Sequence, residues 1–558
     1  MAAGDGSRVA AALLKQGDAA IASDPQRAAT LYARAEEAGA DPTTVGIRKA
    51  ETAWAIGDID RAGSLLDALD VDESSPVREK AVDLAAAVWA ARGSMEMSRA
   101  VYISASQPDR PAEVHALIAN VAAGYRERDE PAPSPPPAGT IPSTLQVSTH
   151  LLSRGLRETL SGTPASSIDD LVRATETYTA SRCIAPIPEL PAVIAALTAI
   201  NLGELDIAES LLRDAIAGGH GGRWARNRLL LWSGWVAVRQ GLPDAARGFL
   251  HSARSSTQTL SPRDHHLADA IDVALARRNG DVQALRAALD RARKSVLHTE
   301  FDLFSLLPLA ELVIAAAQLG SGLLVHRRFE DALARMRGMG SPPLWSAQLY
   351  WAGVLQGVHE DRPAELKRHL EALLTAAPHS RLAAHTAQAG QSWVALLAGD
   401  VDVDAVERSA RGLASVGLGW DGADLAGYAA ARIDDRKAIS RLLGCARELQ
   451  QREHFLETPD PGQRAEPQDP ARSAPLLSAR EREVAVLVLA GKTYVEIGAA
   501  MFISPRTAEH HIARIRRRVG AASRSDLIAK LRLMFEGEDD EGNEGEPDSS
   551  APPRRESA

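Results

Sequence analysis

"NLGELDIAESLLRDAI", residues 201–216, holds the pattern on which the fold turns. An apolar run closes on Gly203, an acid follows at once, and small and apolar residues resume. Glycine takes the left-handed backbone that ends a helix. Acids are favoured at the next helix N-terminus by the peptide dipoles. One helix therefore stops and another starts within a few residues.

The same beat returns in "AIGDIDRAGSLLDAL" (55–69), "RQGLPDAARGFLHSA" (239–253) and "RRNGDVQALRAALDRA" (277–292). The turn markers Gly203, Gly241, Gly280, Gly320, Gly357, Gly399 and Asp434 lie 38, 39, 40, 37, 42 and 35 residues apart. A fainter set, Gly17, Gly57 and Gly93, is spaced by 40 and 36. Each interval holds two amphipathic helices, and neither buries its stripe alone, so the pairs must stack into a solenoid. The period and small-residue pattern resemble tetratricopeptide repeats, although the intervals exceed that family's usual length of about 34. The predicted fold class is all-α, a two-block solenoid followed by a four-helix domain.

Two breaks divide the chain. "EPAPSPPPAGTIP" (130–142) and "TPDPGQRAEPQDPARSAP" (458–475) are too rich in proline for helix and read as extended spacers. The expected plan is a repeat block at 1–129, a linker at 130–142, a second block at 143–455, a linker at 456–476, a small domain at 477–535 and an acidic tail at 536–558. The composition of the tail predicts disorder.

Charge follows the same boundaries. Residues 477–535 carry eleven Lys/Arg and five Asp/Glu, a net +6, and residues 536–558 carry two Arg against nine acids, a net −7. With −10 overall, residues 1–476 hold −9. A basic module between acidic neighbours points to a polyanionic partner at one place only. Two cysteines, Cys183 and Cys445, are too few for a disulfide framework or zinc site. "MAAGDGSRVAAALLKQGD" has Lys15 inside its only apolar run, so it predicts no secretory signal. No apolar run reaches the roughly 20 residues a bilayer needs. The expectation is a cytoplasmic protein, nucleoid-associated when bound to DNA, with no membrane partner.

Within the basic module, Ser478 with Glu481, Thr493 with Glu496 and Ser523 with Asp526 form capping-box patterns, and Ser504-Pro505 is a preset helix start. Ala508, Ile512, Ile515 and Val519 recur at helical spacing and predict a buried stripe. Arg506, Glu509, His510, Ala513, Arg516 and Arg517 then face outward. A short connection, "MFISP", joins this helix to the one before it, which is a helix-turn-helix arrangement. In that arrangement the second helix enters the major groove while basic groups hold phosphates.

The segment is similar to the LuxR/GerE/FixJ-type DNA-binding domain, through "REREV" (480–484), Gly491, "EIG" (496–498), "ISPRTAEHH" (503–511) and "RRRVGAASR" (516–524). The resemblance implies that Glu509, His510 and Ala513 face base edges. It implies phosphate contacts for Lys492, Thr507, Arg514 and Arg517 or Arg518. The interface as a whole is expected to comprise Lys492, Thr493, Ser504, Arg506, Thr507, Glu509, His510, Ala513, Arg514, Arg517 and Arg518. Glu509 and Ala513 stand where many members carry basic or amide side chains. A glutamate there can accept from cytosine N4. Leu527, Leu531 and Met534 look like the family's dimerisation helix. The implied partners are double-stranded DNA, a second copy of the chain and RNA polymerase. The arrangement also resembles actinobacterial LuxR regulators with long helical regions, minus the nucleotide-binding domain of the larger ones.

Other chemistry is looked for without result. "AGKT" (490–493) ends like a phosphate loop, but Val486 occupies the position of its first glycine. His265 and His266 are neighbours on one helix, point apart and read as a surface pair. No catalytic constellation, metal site or cofactor is expected, so the chain is not read as an enzyme. Trp224, Trp232, Trp235, Trp345 and Trp351 concentrate aromatic mass in the second block. They either pack the repeat core or line a concave pocket for a small-molecule effector or partner helix. The reading is a transcription regulator whose body senses a ligand or protein. The alternative is an interaction scaffold whose last module is not a specific DNA binder.

Overall fold

The computed structural model describes residues 2–72, 74–105, 114–126, 141–161, 167–300, 302–452, 479–494, 496–497, 512, 515–516, 527–528, 530–532 and 534–535. Regular structure among them is entirely helical. The chain forms two compact units, Met1–Thr458 and Pro459–Ala558.

In the first unit, helices Pro191–Leu202, Arg226–Gln240, Pro262–Arg278, Leu306–Gln318 and Pro343–His359 alternate with Leu205–Ala217, Pro243–Arg254, Val282–His298, Leu323–Gly338 and Pro363–Ala376. The two sets differ in sequence and therefore in place. "LLPLAELVIAAAQ" is apolar on nearly every side, and all but the last residue of that helix is buried. By contrast Pro243–Arg254 buries only Ala246, Leu250 and Ala253, one stripe at helical spacing. The first set is an inner layer and the second an outer one.

Most of the predicted turn glycines do what the sequence asks. Gly203, Gly241, Gly280, Gly320 and Gly399 all have φ between 64° and 86°. Asp58, Asp281 and Asp402 cap the following helices by accepting backbone N–H bonds. Two markers need correction. Gly357 lies inside Pro343–His359, and Asp361, with φ 53°, makes the turn instead. A Cβ on Gly357 would come within 2.8 Å of the Leu366 backbone nitrogen, so this glycine permits close helix approach. Gly17 likewise sits within Ala2–Ala20, where a Cβ would be 2.3 Å from the Tyr32 ring. Beside the marker Asp434, the capping side chain is Asp435, accepting from the Lys437 N–H at 3.0 Å.

The inner layer curls until its helices meet across the middle. Pro191–Leu202 touches both Pro343–His359 and Arg381–Leu397. Arg239 Nε donates to the Gly417 carbonyl at 2.8 Å. Arg277 donates to Glu311 at 2.6 Å and to Asp421 at 3.2 Å, and Trp351 Nε1 donates to Asp421 at 2.9 Å. These groups are buried, so each charge has to be met by a partner. Burial works against ionisation of Glu311, but Arg277 and Arg278 overcome it and hold the carboxyl down at about 2. Burial pulls Arg239 down to about 10, with Arg278 adding to the effect.

The second unit has a core of its own. Val484, Ala485 and Val488 of helix Ala479–Leu489 pack with Ile497, Ile512, Ile515, Leu527 and Leu531.

Candidate nucleic-acid interface

The helix Ala479–Leu489 ends at Gly491, whose φ of 75° turns the chain sharply. Thr493 and Glu496 then form the expected reciprocal cap. The Glu496 N–H donates to Thr493 Oγ1 at 3.3 Å, and the Thr493 N–H donates to Glu496 Oε2 at 2.8 Å. The Thr493 backbone bond, followed by its hydroxyl and Lys492, holds the Glu496 carboxyl below the ordinary range. Lys492, exposed just before this cap, reaches Glu496 at 3.4 Å. A surface pair of this kind contributes little and is easily exchanged for another anion.

Ile512 and Ile515 are buried while Arg516 is exposed. That is the expected division of the arginine-bearing segment, with the aliphatic side spent on the module core and a cation left outside. Ser504, Arg506, Thr507, Glu509, His510, Ala513, Arg514, Arg517 and Arg518 lie outside the described residues. Leu527 and Leu531 are buried inside the module, at 1% and 0% exposure, so these two leucines belong to its own core. On the same segment Ile528, Met534 and Phe535 remain half-buried.

The tryptophans divide differently from the expectation of a concave pocket. Trp232, Trp235, Trp345 and Trp351 are fully buried core residues, because the inner helices close upon one another. Trp224 alone of the five lines a described cavity, opposite Trp54, which the sequence did not single out. Nor is His265-His266 a surface pair. His265 is exposed but His266 is buried, and burial, with Arg263 and Arg328, lowers it to about 4. Among the described residues there is no group of three or more potential metal ligands, and no helix is long and apolar enough to cross a membrane.

Comparison with known proteins places the module. The profile "Bacterial regulatory proteins, luxR family" matches residues 475–531. The spore germination protein GerE of Bacillus subtilis is 40% identical over 65 residues, which are 12% of this chain and 88% of that protein. The probable transcriptional regulatory protein NarL of Mycobacterium tuberculosis is 35% identical over 57 residues, 10% of this chain and 26% of that one. Among solved structures, the crystal structure of yeast Tom70 aligns over 81% of this chain and 98% of that one, at 12% identity and a TM-score of 0.26. The helical-repeat assignment rests on the helix order described above. Through its C-terminal module, the chain belongs to the luxR family of bacterial regulatory proteins.

Proposed function

We propose that this DNA-binding transcription regulator grips the major groove with the segment that begins at Pro505, and that its helical body receives the signal. One observation carries the reading: Ile512 and Ile515 are buried while Arg516 stands outside, beside a module whose preceding turn presents Lys492. A basic helix face braced by an aliphatic one is what a duplex backbone requires. In this reading Lys492, Thr507, Arg514, Arg517 and Arg518 hold phosphates, and Glu509, His510 and Ala513 meet base edges. Ile528, Met534 and Phe535 are the apolar surface left for a second copy, so two modules sit on half-sites about one helical turn apart. The body takes a small molecule or a protein partner and passes its state to the module, and RNA polymerase is the partner downstream.

Gel shift of the full chain on genomic fragments tests this reading. Affinity should fall steeply with salt, with a log–log slope of about −0.9 per phosphate neutralised. Arg517→Ala should weaken binding to all sequences alike, whereas His510→Ala should change the preference between sequences. Equal effects from both would contradict the division of roles. Absence of any duplex binding at low salt would leave the chain an interaction scaffold.

A further inference from the structure

Two neighbouring outer helices, Val282–His298 and Leu323–Gly338, leave a groove of about 420 Å³ where they meet. Its lining is largely leucine. Leu289 is buried, Leu319 and Leu324 are half-buried, and Leu297 and Leu323 are 53% and 93% exposed. Arg328 Nη2 donates to the Leu297 carbonyl at 3.1 Å, which pins the two helices together. Val282, on the same face of the first helix, is exposed as well. Isolated surface leucines are ordinary, but exposed apolar side chains gathered on one groove mark a surface that something covers.

The rim is basic and unpaired. Arg286, Asp290, Arg293 and Leu297 follow one another at i, i+4, i+7 and i+11, so they share one face of Val282–His298, and all four line the groove. With Arg291 and Lys294 the helix carries four cations against one acid, a net +3, in a body whose residues 1–476 hold −9. Among the described residues none of these four cations pairs with a carboxylate, Asp290 included. Other outer helices treat their arginines differently: Arg247 pairs with Asp244 at 2.6 Å, Arg254 with Asp272 at 2.7 Å and Arg368 with Glu365 at 2.6 Å. The helix that begins at Leu323 has no acid in its first turn. Exposed leucine and free arginine thus meet at one place, which asks for apolar and acidic groups from the same occupant.

We propose that this groove docks an acidic amphipathic helix of a protein partner. Leucine or phenylalanine side chains one turn apart on that helix settle among Leu297, Leu319, Leu323 and Leu324. Carboxylates two turns apart, about 10 Å, meet Arg286 and Arg293, which are themselves seven residues apart on their own helix. A small acid suits the surface less well, because its pocket would converge on one point and enclose most of the ligand, whereas here the cations are spread along a helix and Leu323 stands open. Residues 536–558 of this chain supply acids but no Leu, Ile, Val, Met or aromatic residue, so they do not match the leucines. The proposal rests on the reading that the body takes a partner, and it names the surface and the partner's chemistry.

A displayed library of amphipathic helices, with leucine fixed on one side and Glu, Gln or Lys allowed at each flanking position, tests it by selection on the full chain at low salt. Recovered helices should carry glutamates two turns apart beside the leucines. One of them, synthesised with a fluorescein label, is then titrated by anisotropy. Leu323→Ser should weaken its binding about tenfold, one buried leucine's worth, and should leave the helical circular dichroism unchanged because the side chain is exposed. Arg286→Gln combined with Arg293→Gln should weaken it about fivefold and flatten its salt dependence. Recovery of basic or neutral helices, recovery of none, or equal binding by the variants would overturn the docking site. Binding of sodium decanoate at the groove with no helix recovered would overturn it in favour of a small amphipathic acid. Self-association of the full chain that is lost in Leu323→Ser would overturn it in favour of a second copy. Should a recovered helix bind at the groove and leave the gel-shift midpoint unmoved, the surface stands and the sensing role of the body falls.

Discussion

Asp421 is the residue on which closure of the body can be tested most directly. It is 5% exposed and accepts from Arg277, 144 positions earlier, and from Trp351, 70 positions earlier. Asp421→Asn keeps the shape and one carbonyl acceptor but removes the charge. Arg239, Arg277 and Arg278 would then share Glu311 as their remaining close carboxylate. Asp424 offers partial relief. Burial first, and the charge of Asp421 second, keep its carboxyl above the ordinary range, so losing that charge lets it ionise more readily. Breaking a buried pair costs about 3–5 kcal/mol, and with the remaining acceptor and this relief we expect about 3. Trp351→Phe removes one N–H donor while Asp421 keeps Arg277, so about 1 kcal/mol is expected. Urea unfolding followed by helical circular dichroism gives both values on the full chain. A loss below about 1 kcal/mol for Asp421→Asn, or a smaller loss than for Trp351→Phe, would refute the view that the arginine cluster depends on this carboxylate.

Acid should loosen the body. Burial lowers His220 to about 3 and His266 and His369 to about 4, against 6.5 when exposed. Below pH 6.5 the unfolded chain binds more protons than the native one, so stability is full above that pH and falls on acidification. The three sites together should cost about 6 kcal/mol at pH 5 relative to pH 7.5, and a flat urea midpoint over that range would remove the idea. Thr493→Ala should lower the stability of the C-terminal unit by about 1 kcal/mol, read from the melting of residues 459–558, with Thr493→Ser recovering most of it. Ile515→Ala should cost that unit 2–5 kcal/mol by opening a hole under the arginine-bearing segment, and it should abolish duplex binding at 37 °C. Deleting residues 537–558 should raise affinity for random DNA at low salt, because eight acids no longer compete with phosphate; an unchanged affinity would dismiss the competition.

The repeat beat was legible because glycine and aspartate mark helix ends by local chemistry. Gly203 and Gly241 turn left-handed as their sequence context demands, and Asp58 and Asp281 cap as expected. Gly357 misled because a glycine also serves where two helices come close, and local sequence does not distinguish the two uses. The Thr493–Glu496 box and the Ile512–Ile515 stripe were readable for the same local reason. For Trp232, Trp235, Trp345 and Trp351 the sequence offered core packing and a pocket side by side; the choice depends on how far the stack of helices curls, a sum of small rotations at every contact, and it falls to the core. Leu527 and Leu531 show the same limit. Helical spacing names a buried face but not whether its partner is the same module or another copy.

An open row of repeats gains or loses a unit at modest cost, because each contacts only its neighbours. This one is tied shut: Arg239 is bonded to a carbonyl 178 positions later, and Trp345 Nε1 reaches back 186 positions to Thr159. Removing one hairpin between Arg239 and Trp345 would throw both ties out of step, so the tally of repeats in that stretch is fixed by its own geometry. A disturbance at a hairpin inside the closed stretch is therefore felt at both ties at once.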